Sequence, residues 1–294
     1  MKFTEPMFRP PQESRSIILR GTQGCTYNKC AFCSLCRNSA FMMTNGAHVR
    51  EQMSALPQNL LKKNPVFLAG ANPFAMSFRR LEEIVQAIRE YVPEVSVISM
   101  HTRIDDIERK STAELNELCR MGVAHLYPGT ESGNPRALAI MNKGATVQDA
   151  DVQLGRLRDA GIAFTANYML GMMGKGFAVE SGILTAELFN RTHPARITTT
   201  GITVFGDTPL QTMRDQGVWV ETSDREKLTE LHAFIQNLNV ETVVDTRHYL
   251  NLINMTIHMP DERNLALARI ERFLREHDDE EIQRLYRRDT FTVL

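Results

Sequence analysis

The chain repeats one pattern, in which a short apolar run is followed by a loop and then by a stretch with apolar residues at helical spacing. Each run is four to eight residues long and several are rich in β-branched residues, as buried strands are. The pattern predicts six buried strands, at residues 16–20, 65–68, 95–100, 123–127, 162–169 and 197–204.

Helical spacing marks the stretches between these runs. Residues 78–91 place four apolar side chains on one helix face: Leu81, Ile84, Val85 and Ile88. Residues 111–122 begin with a serine cap, have Glu114 three residues later as a capping box, and end at a glycine. Residues 146–161 end at a glycine in the same way, so both stretches are predicted to be helices.

The alternation of strand and helix favours a parallel sheet with right-handed crossovers. It fits a partial or full α/β barrel, or an open doubly wound sheet, and periodicity does not choose between them. The pattern then changes, and helices are predicted at residues 224–238, 261–273 and 279–287. We therefore predict an α/β domain over residues 1–220 and a helical C-terminal extension over residues 221–294 that packs on it.

The composition excludes several classes of protein. The 294 residues are 43% hydrophobic and 23% charged, as in an ordinary globular protein. A formal net charge of -1 argues against nucleic-acid binding through overall charge. No apolar run approaches the ~20 residues of a membrane span, and the first residues lack the apolar core of a signal peptide. We expect a cytoplasmic protein that binds neither nucleic acid nor membrane.

Four of the five cysteines are clustered in the segment GTQGCTYNKCAFCSLC, which follows the first apolar run. Cys25, Cys30 and Cys33 have the spacing C-x4-C-x2-C, and Cys36 follows three residues later. Thiolates ligate iron–sulfur clusters, and three of them leave one iron of a cubane open for chemistry. A structural zinc protein, or an electron carrier with Cys119 as fourth ligand, is the alternative. A loop after a barrel strand is where such folds place catalysis, which favours an enzyme.

The cysteine loop, residues 21–36, resembles the cluster loop of the radical S-adenosylmethionine (SAM) superfamily, in which an aromatic residue, here Phe32, precedes the last cysteine. The commonest spacing there is C-x3-C-x2-C. The longer spacing is similar to that of small members resembling oxygen-independent coproporphyrinogen oxidase and Elongator. The resemblance implies a partial (β/α)6 barrel and a 4Fe–4S cluster on Cys25, Cys30 and Cys33. It also implies SAM bound to the open iron through its methionyl amino and carboxylate groups.

The same resemblance assigns further residues to SAM. One group stands where the family has a Gly-Gly-Glu-like turn: Gly70, Ala71 and Asn72. The acid is missing here, so the turn is a stronger candidate than the amide side chain. Glu131 and Ser132 stand in a G-x-E-S-G-like segment, although Glu131 has a helix-terminus charge as its alternative role. Asn167 and residues 204–210 correspond to regions near the ribose and adenine.

Position supplies weaker candidates. Arg103 follows the third predicted strand and is a candidate ligand for the SAM carboxylate or an anionic substrate, with a surface salt bridge as the alternative. Residues 248–260 are similar to an H-x-x-N…L-P stretch of the same subgroup, which predicts a lid over the barrel mouth. Three side chains of this lid are candidate substrate contacts: His248, Asn251 and His258.

The predicted function follows from the cluster loop and the resemblance together. The enzyme is expected to cleave SAM reductively to a 5′-deoxyadenosyl radical, which abstracts hydrogen from an unidentified small-molecule substrate. A reduced flavodoxin or ferredoxin is the expected electron donor. The sequence leaves the identity of the substrate open.

Overall fold

A computed structural model describes residue 3, residues 7–61 and residues 65–285. The chain divides into two compact units, each built from several segments. The first unit comprises Met1–Asn28, Cys36–Gly129 and Val152–Phe164. The second unit comprises Lys29–Leu35, Thr130–Asp151 and Thr165–Leu294. The domain boundary predicted at residue 220 stays a prediction.

The strands of the first unit are mainly parallel. The unit begins with one strand and a two-stranded antiparallel ribbon: β1 (Ile17–Arg20), β2 (Thr22–Gln23) and β3 (Met42–Met43). Parallel strands then follow beside β1: β4 (Val66–Ala69), β5 (Ile98–Thr102), β6 (Val123–Pro128) and the first residues of β7 (Ala163–Leu170). The predicted strands of this region are confirmed, with ends displaced by a few residues.

Four helices belong entirely to the first unit: α1 (Gly46–Ser54), α2 (Phe78–Arg89), α3 (Ile104–Glu108) and α4 (Thr112–Arg120). The predicted apolar face of α2 is buried. The capping box of α4 is present, because Ser111 N donates to the Glu114 carboxylate at 2.7 Å and Glu114 N donates to Ser111 Oγ at 3.2 Å. Gly122 ends this helical segment with a φ of 94°, a conformation that favours glycine.

The second unit starts its helices with α5 (Pro135–Ile140) and the first residues of α6 (Val147–Asp159), which ends in the first unit. From Thr165 on, β7 pairs in parallel with β8 (Arg196–Gly201), and β8 pairs in parallel with β9 (Thr242–Asp245). The antiparallel strand β10 (Thr256–Met259) completes the set. The remaining helices are α7 (Ala178–Thr192), α8 (Pro209–Asp215), α9 (Asp224–Asn237), α10 (Arg263–Glu276) and α11 (Asp279–Leu285).

The C-terminal region contains the three predicted helices and two strands that the sequence analysis missed. β9 (TVVD) and β10 (TIHM) contain only two apolar residues each, so neither forms the continuous apolar run that marked the other strands. The last predicted helix begins at Asp279 as expected, while residues 286 and 287 of that prediction lie outside the described residues. No helix within residues 7–61 and 65–285 has both the length and the apolar character needed to cross a membrane.

Candidate functional site

The clustered cysteines lie on the loop between β2 and β3. Pairing of these two strands closes the base of the loop, and Thr44 N donates to Gly21 O at 2.9 Å beside them. Cys25 and Cys33 are partly exposed, whereas Cys30 and Cys36 are buried. All five cysteines are among the described residues, and they form no disulfide. In the same part of the chain, no three His, Cys, Asp or Glu side chains are placed to hold a single metal ion.

Hydrogen bonds within the second unit hold the backbone of the middle of this loop at Lys29 and Ala31. Asn142 Nδ2 donates to the carbonyl of Lys29 at 3.1 Å. Ala31 N donates to Met141 O at 2.8 Å, and the Ala31 carbonyl accepts from Leu210 N at 3.0 Å. Phe32, which follows, is buried. Part of the segment that carries Cys30 and Cys33 is therefore held through its main chain.

The turn after β4 accepts only glycine at its first position. Gly70 has a φ of 134°, and a Cβ there would lie 2.2 Å from Thr22 Oγ1. The Gly70 carbonyl accepts a hydrogen bond from His101 Nδ1 at 3.1 Å. The turn is thus closely packed against β2 and His101, and its contact with SAM stays a prediction.

Asn72 is buried, and its amide is engaged on both sides. Its Nδ2 donates to Thr26 Oγ1 at 2.6 Å and to Asp106 Oδ2 at 2.9 Å, while its Oδ1 accepts from Thr26 N at 3.3 Å. Burial raises the pKa of Asp106. An acid at position 72 would face this second carboxyl, whereas the amide donates a hydrogen bond to it.

Arg103 is buried at the start of α3, with only 6% of its surface exposed. Its Nε lies 2.8 Å from Asp105 Oδ1, and its guanidinium carbon lies 4.2 Å from the centre of the Tyr27 ring. Arg103 thus forms an ion pair, but a buried one rather than the surface salt bridge considered as its alternative role. The guanidinium also lies against Tyr27, an aromatic residue of the cysteine loop.

Glu131 and Asn167, both predicted site residues, come together in the second unit. Asn167 Nδ2 donates to Glu131 Oε2 at 2.7 Å, and Glu131 N donates to the Asn167 carbonyl at 2.9 Å. The backbone of Glu131 has a φ of 64°, in the left-handed region that few residues other than glycine adopt. Lys143 Nζ lies 3.3 Å from Glu131 Oε1, and both side chains are buried. No spacing rule pointed to Lys143, which lies just after α5.

The residues beside Glu131 are also buried. Ser132 Oγ accepts from Asn134 N at 3.0 Å, so part of its hydrogen-bonding capacity is used within the loop. Thr130 Oγ1 is buried and has no hydrogen-bond partner among the described residues. A buried hydroxyl of this kind usually has a partner, so Thr130 is a candidate contact for a bound ligand.

A buried acid beneath the end of β7 was missed by the sequence analysis. Glu230 of α9 accepts hydrogen bonds from Tyr168 Oη at 2.7 Å and from Gly171 N at 2.8 Å. Burial raises the pKa of Glu230 to about 7. The available signal was its place one helical turn before Phe234, on the apolar face of α9. In residues 204–210, Thr208 caps α8, because its Oγ1 accepts from Gln211 N at 3.3 Å. The expected position of these residues near the adenine stays a prediction.

The three predicted lid residues have different surroundings. Asn251 is buried, and its Nδ2 donates to Thr199 O at 2.8 Å and to Thr246 O at 2.9 Å. Its Oδ1 accepts from Gly201 N at 2.9 Å, so this amide joins the end of β8 to the following loop. His248 is half-buried and stacks on the next residue, Tyr249, with ring centroids 4.5 Å apart. His258 is exposed on β10.

The order of strands and helices defines an α/β protein, with a loop of four cysteines between the short strands β2 and β3. A family model described as the radical SAM superfamily matches residues 19–176, which is more than half of the chain. The chain belongs to the radical SAM superfamily. It is therefore an enzyme of that superfamily, whose members use a 4Fe–4S cluster and SAM.

Solved structures show the same fold. Coproporphyrinogen III oxidase from Escherichia coli is 16% identical with a TM-score of 0.60, and the match covers 86% of this chain and 57% of that one. Elp3 from the archaeon Methanocaldococcus infernus is 16% identical with a TM-score of 0.52, covering 77% of this chain and 58% of that one. Methylornithine synthase is 15% identical with a TM-score of 0.52, and the match covers 92% of this chain and 85% of that one. The chain thus spans less than two thirds of the length of coproporphyrinogen III oxidase and of Elp3. By sequence, no curated protein matches it.

Proposed function

We propose that this enzyme binds its 4Fe–4S cluster through Cys25, Cys30 and Cys33, and that Cys36 is not a ligand. A reduced cluster held there would supply one electron to SAM, whose sulfur–C5′ bond would break to give methionine and a 5′-deoxyadenosyl radical. This radical would take a hydrogen atom from a small-molecule substrate, giving 5′-deoxyadenosine and a substrate radical. A reduced flavodoxin or ferredoxin is the proposed electron donor. We also propose that the enzyme is an oxidoreductase and that it is cytoplasmic.

The observation that carries the proposal is the state of the three thiols. Each lies on one loop, none is in a disulfide, and Cys25 and Cys33 are partly exposed. Soft thiolate sulfur is the ligand that iron–sulfur clusters take, so the donor set fits the group. Hydrogen bonds to the backbone of Lys29 and Ala31 hold part of the segment that carries Cys30 and Cys33, so cluster binding need not order all of it.

In the first unit, the proposed SAM contacts are the Gly70–Asn72 turn and Arg103. The amide of Asn72 is used within the protein, so the turn is proposed to act through the backbone of Gly70 and Ala71. Arg103 is a preformed cation whose Asp105 partner and Tyr27 ring hold it in one orientation. A fixed guanidinium is suited to a carboxylate such as that of the methionyl group.

In the second unit, the proposed SAM contacts are Glu131, Ser132 and Asn167. Lys143 and Asn167 hold the two carboxylate oxygens of Glu131, so Lys143 acts as a positioning residue. The free lone pairs of a held carboxylate suit an ammonium or ribose hydroxyl donor. Among the predicted lid residues, His248 and His258 remain proposed substrate contacts, while the buried hydrogen bonds of Asn251 support a positioning role.

Anaerobic reconstitution with iron and sulfide tests the proposal. We expect about four irons per chain, a 4Fe–4S spectrum that changes on addition of SAM, and 5′-deoxyadenosine after reduction. Tight zinc binding without iron uptake would instead identify a structural zinc protein. A redox-active cluster that does not respond to SAM would identify an electron carrier. Formation of S-adenosylhomocysteine without 5′-deoxyadenosine would replace hydrogen abstraction by methyl transfer.

A further inference from the structure

The sheet of the first unit has two unlike faces along β4, β5 and β6. One face is apolar and buried: Val66, Leu68, Ile98, Met100 and Leu126. The opposite face, here termed the inner wall, carries an alternating set that includes polar groups: Phe67, Ser99, His101, His125 and Tyr127. A parallel sheet whose two faces only pack against helices is apolar on both. The polar residues of the inner wall distinguish it from a face that packs only against helices.

A buried carboxylate is fixed against this inner wall. Glu13, from the turn before β1, is 6% exposed and accepts hydrogen bonds from Tyr127 Oη at 2.6 Å and Ser99 Oγ at 2.7 Å. Ser16 Oγ donates to its second oxygen. No cation pairs with Glu13 in the described part of the chain. Burying a charge without a counter-charge is unfavourable, so Glu13 marks a place where a cation is favoured.

His101 adds a hydrogen-bond acceptor to the same wall. Its Nδ1 is 3.1 Å from the Gly70 carbonyl, which can only accept, so Nδ1 carries the proton. Burial lowers the pKa of His101 and keeps the ring neutral. Its Nε2 is therefore an acceptor, and it has no hydrogen-bond partner among the described residues. The bond to Gly70 places His101 beside the turn proposed to hold SAM.

Aromatic rings surround these groups. The His101 ring centroid lies 5.2 Å from that of Phe67 and 5.8 Å from that of Tyr127, and His125 lies 4.9 Å from Tyr127. The negative faces of aromatic rings attract cations, and the effect is larger where water is excluded. The inner wall thus combines a carboxylate, a neutral acceptor nitrogen and several rings.

We propose that the inner wall binds the amino end of the substrate, and that the substrate is a small molecule bearing a protonated amine. The inference rests on the proposed function, because it takes the inner wall to be part of the substrate site. Glu13 supplies the opposite charge, His101 Nε2 accepts an N–H, and the rings complete an environment suited to an ammonium group. A carboxylate or phosphate in the same place would face the charge of Glu13.

Three four-carbon probes test the proposal: butylammonium, 1-butanol and butyrate. Each is titrated calorimetrically into the reconstituted enzyme with SAM. We expect butylammonium to bind at least about tenfold more tightly than either of the others, the ratio that one charge-assisted contact supplies. Equal or tighter binding of butyrate or butanol would overturn the inference, whatever the variants do.

Two variants connect the preference to the wall. Glu13→Gln removes the charge but keeps the size and an acceptor oxygen, and should reduce the preference for butylammonium to about twofold or less. Glu108→Gln is the matched control, because it makes the same exchange at an exposed position of α3 that is not part of the inner wall, and it should keep the preference. An unchanged preference in Glu13→Gln would contradict the proposal. Iron content and the spectral response to SAM, recorded on the same samples, test the proposed function separately.

Discussion

Lys143 Nζ and Glu131 Oε1 are 3.3 Å apart, and both side chains are buried. A buried ion pair is strongly favoured only while both charges are present, because either charge alone keeps its desolvation penalty without compensation. Glu131 thus contributes to the stability of the second unit, in addition to its proposed role in contacting SAM. The two roles are separable, since only one of them depends on Lys143 being charged.

Glu131→Gln should lower both stability and SAM affinity. The variant leaves Lys143 buried without its counter-charge, which typically costs about 3–5 kcal/mol. Loss of a hydrogen bond from a charged group should weaken SAM binding by about 1–3 kcal/mol. Urea unfolding measures the first effect, and a SAM titration of the reconstituted cluster spectrum measures the second.

The double variant Glu131→Gln/Lys143→Gln separates the roles. Removing both charges should recover part of the lost stability, while SAM affinity stays as low as in Glu131→Gln. If SAM affinity is that of the unmodified enzyme in both variants while stability falls, Glu131 has a structural role only.

A carboxylate exchange tests the link between Asn72 and Asp106. Asn72→Asp places a second acid 2.9 Å from an existing one, and the variant should lose about 1–3 kcal/mol of unfolding free energy. The exchanged pair Asn72→Asp/Asp106→Asn restores one acid and one amide, and should regain most of that loss. Equal stability of the single and double variants would show that the hydrogen bond does not select the amide. Thermal unfolding at neutral pH is the measurement.

Local signals in the sequence predicted local structure well. The capping box of Ser111 and Glu114 lies within one helical turn and appears as expected. The contact of Glu131 with Lys143 depends on a helix and two turns between them, so no pattern of spacing reveals it. The same holds for Glu13, whose hydrogen bonds reach Ser99 and Tyr127 across the sheet. Sequence therefore predicted the parallel strands from β1 to β8 and several of the helices, but not which side chains the tertiary fold brings together.

The assignment of Asn251 shows the same limit from the other side. A polar residue among apolar ones predicts a placed polar group, but it does not say whether the partner is a ligand or the protein's own backbone. Here the partners are the backbone of Thr199, Gly201 and Thr246. Asn251 is thus a buried polar residue whose observed partners are backbone groups of the protein, and its contact with substrate stays a prediction.

Cysteine variants test the cluster assignment directly. Alanine at position 25, 30 or 33 should abolish the 4Fe–4S cluster, because each removes one of three ligands. Cys36→Ala should retain it, since a fourth thiolate would close the iron that SAM needs. Iron and sulfide are counted after anaerobic reconstitution. Retention of a cluster by any of the first three variants, together with its loss in Cys36→Ala, would reverse the assignment.

The proposed lid predicts different outcomes for its three residues. Asn251→Ala should destabilise the protein by about 1–3 kcal/mol, because buried backbone groups lose their partners. His248→Ala should leave cluster content and substrate-free SAM cleavage near normal and lower turnover once a substrate is found. His258→Ala provides an exposed control for stability. Cluster loss in His248→Ala would show that this residue supports the fold rather than the substrate.

Glu230 should make stability depend on pH. Its pKa rises from the ordinary 4.5 to about 7 on folding, so between these values the folded protein binds a proton that the unfolded chain has released. Stability from this group is complete below pH 4.5 and declines as the pH rises toward about 7, by an amount on the order of 3 kcal/mol. In Glu230→Gln this component should be absent, so the difference between the two urea-unfolding curves isolates it from other titrating groups. Tyr168→Phe should move the decline to higher pH, because the hydroxyl hydrogen bond stabilises the ionised carboxylate. Parallel pH profiles for the unmodified enzyme and Glu230→Gln would show that Glu230 ionises in the folded protein as it does in the unfolded chain.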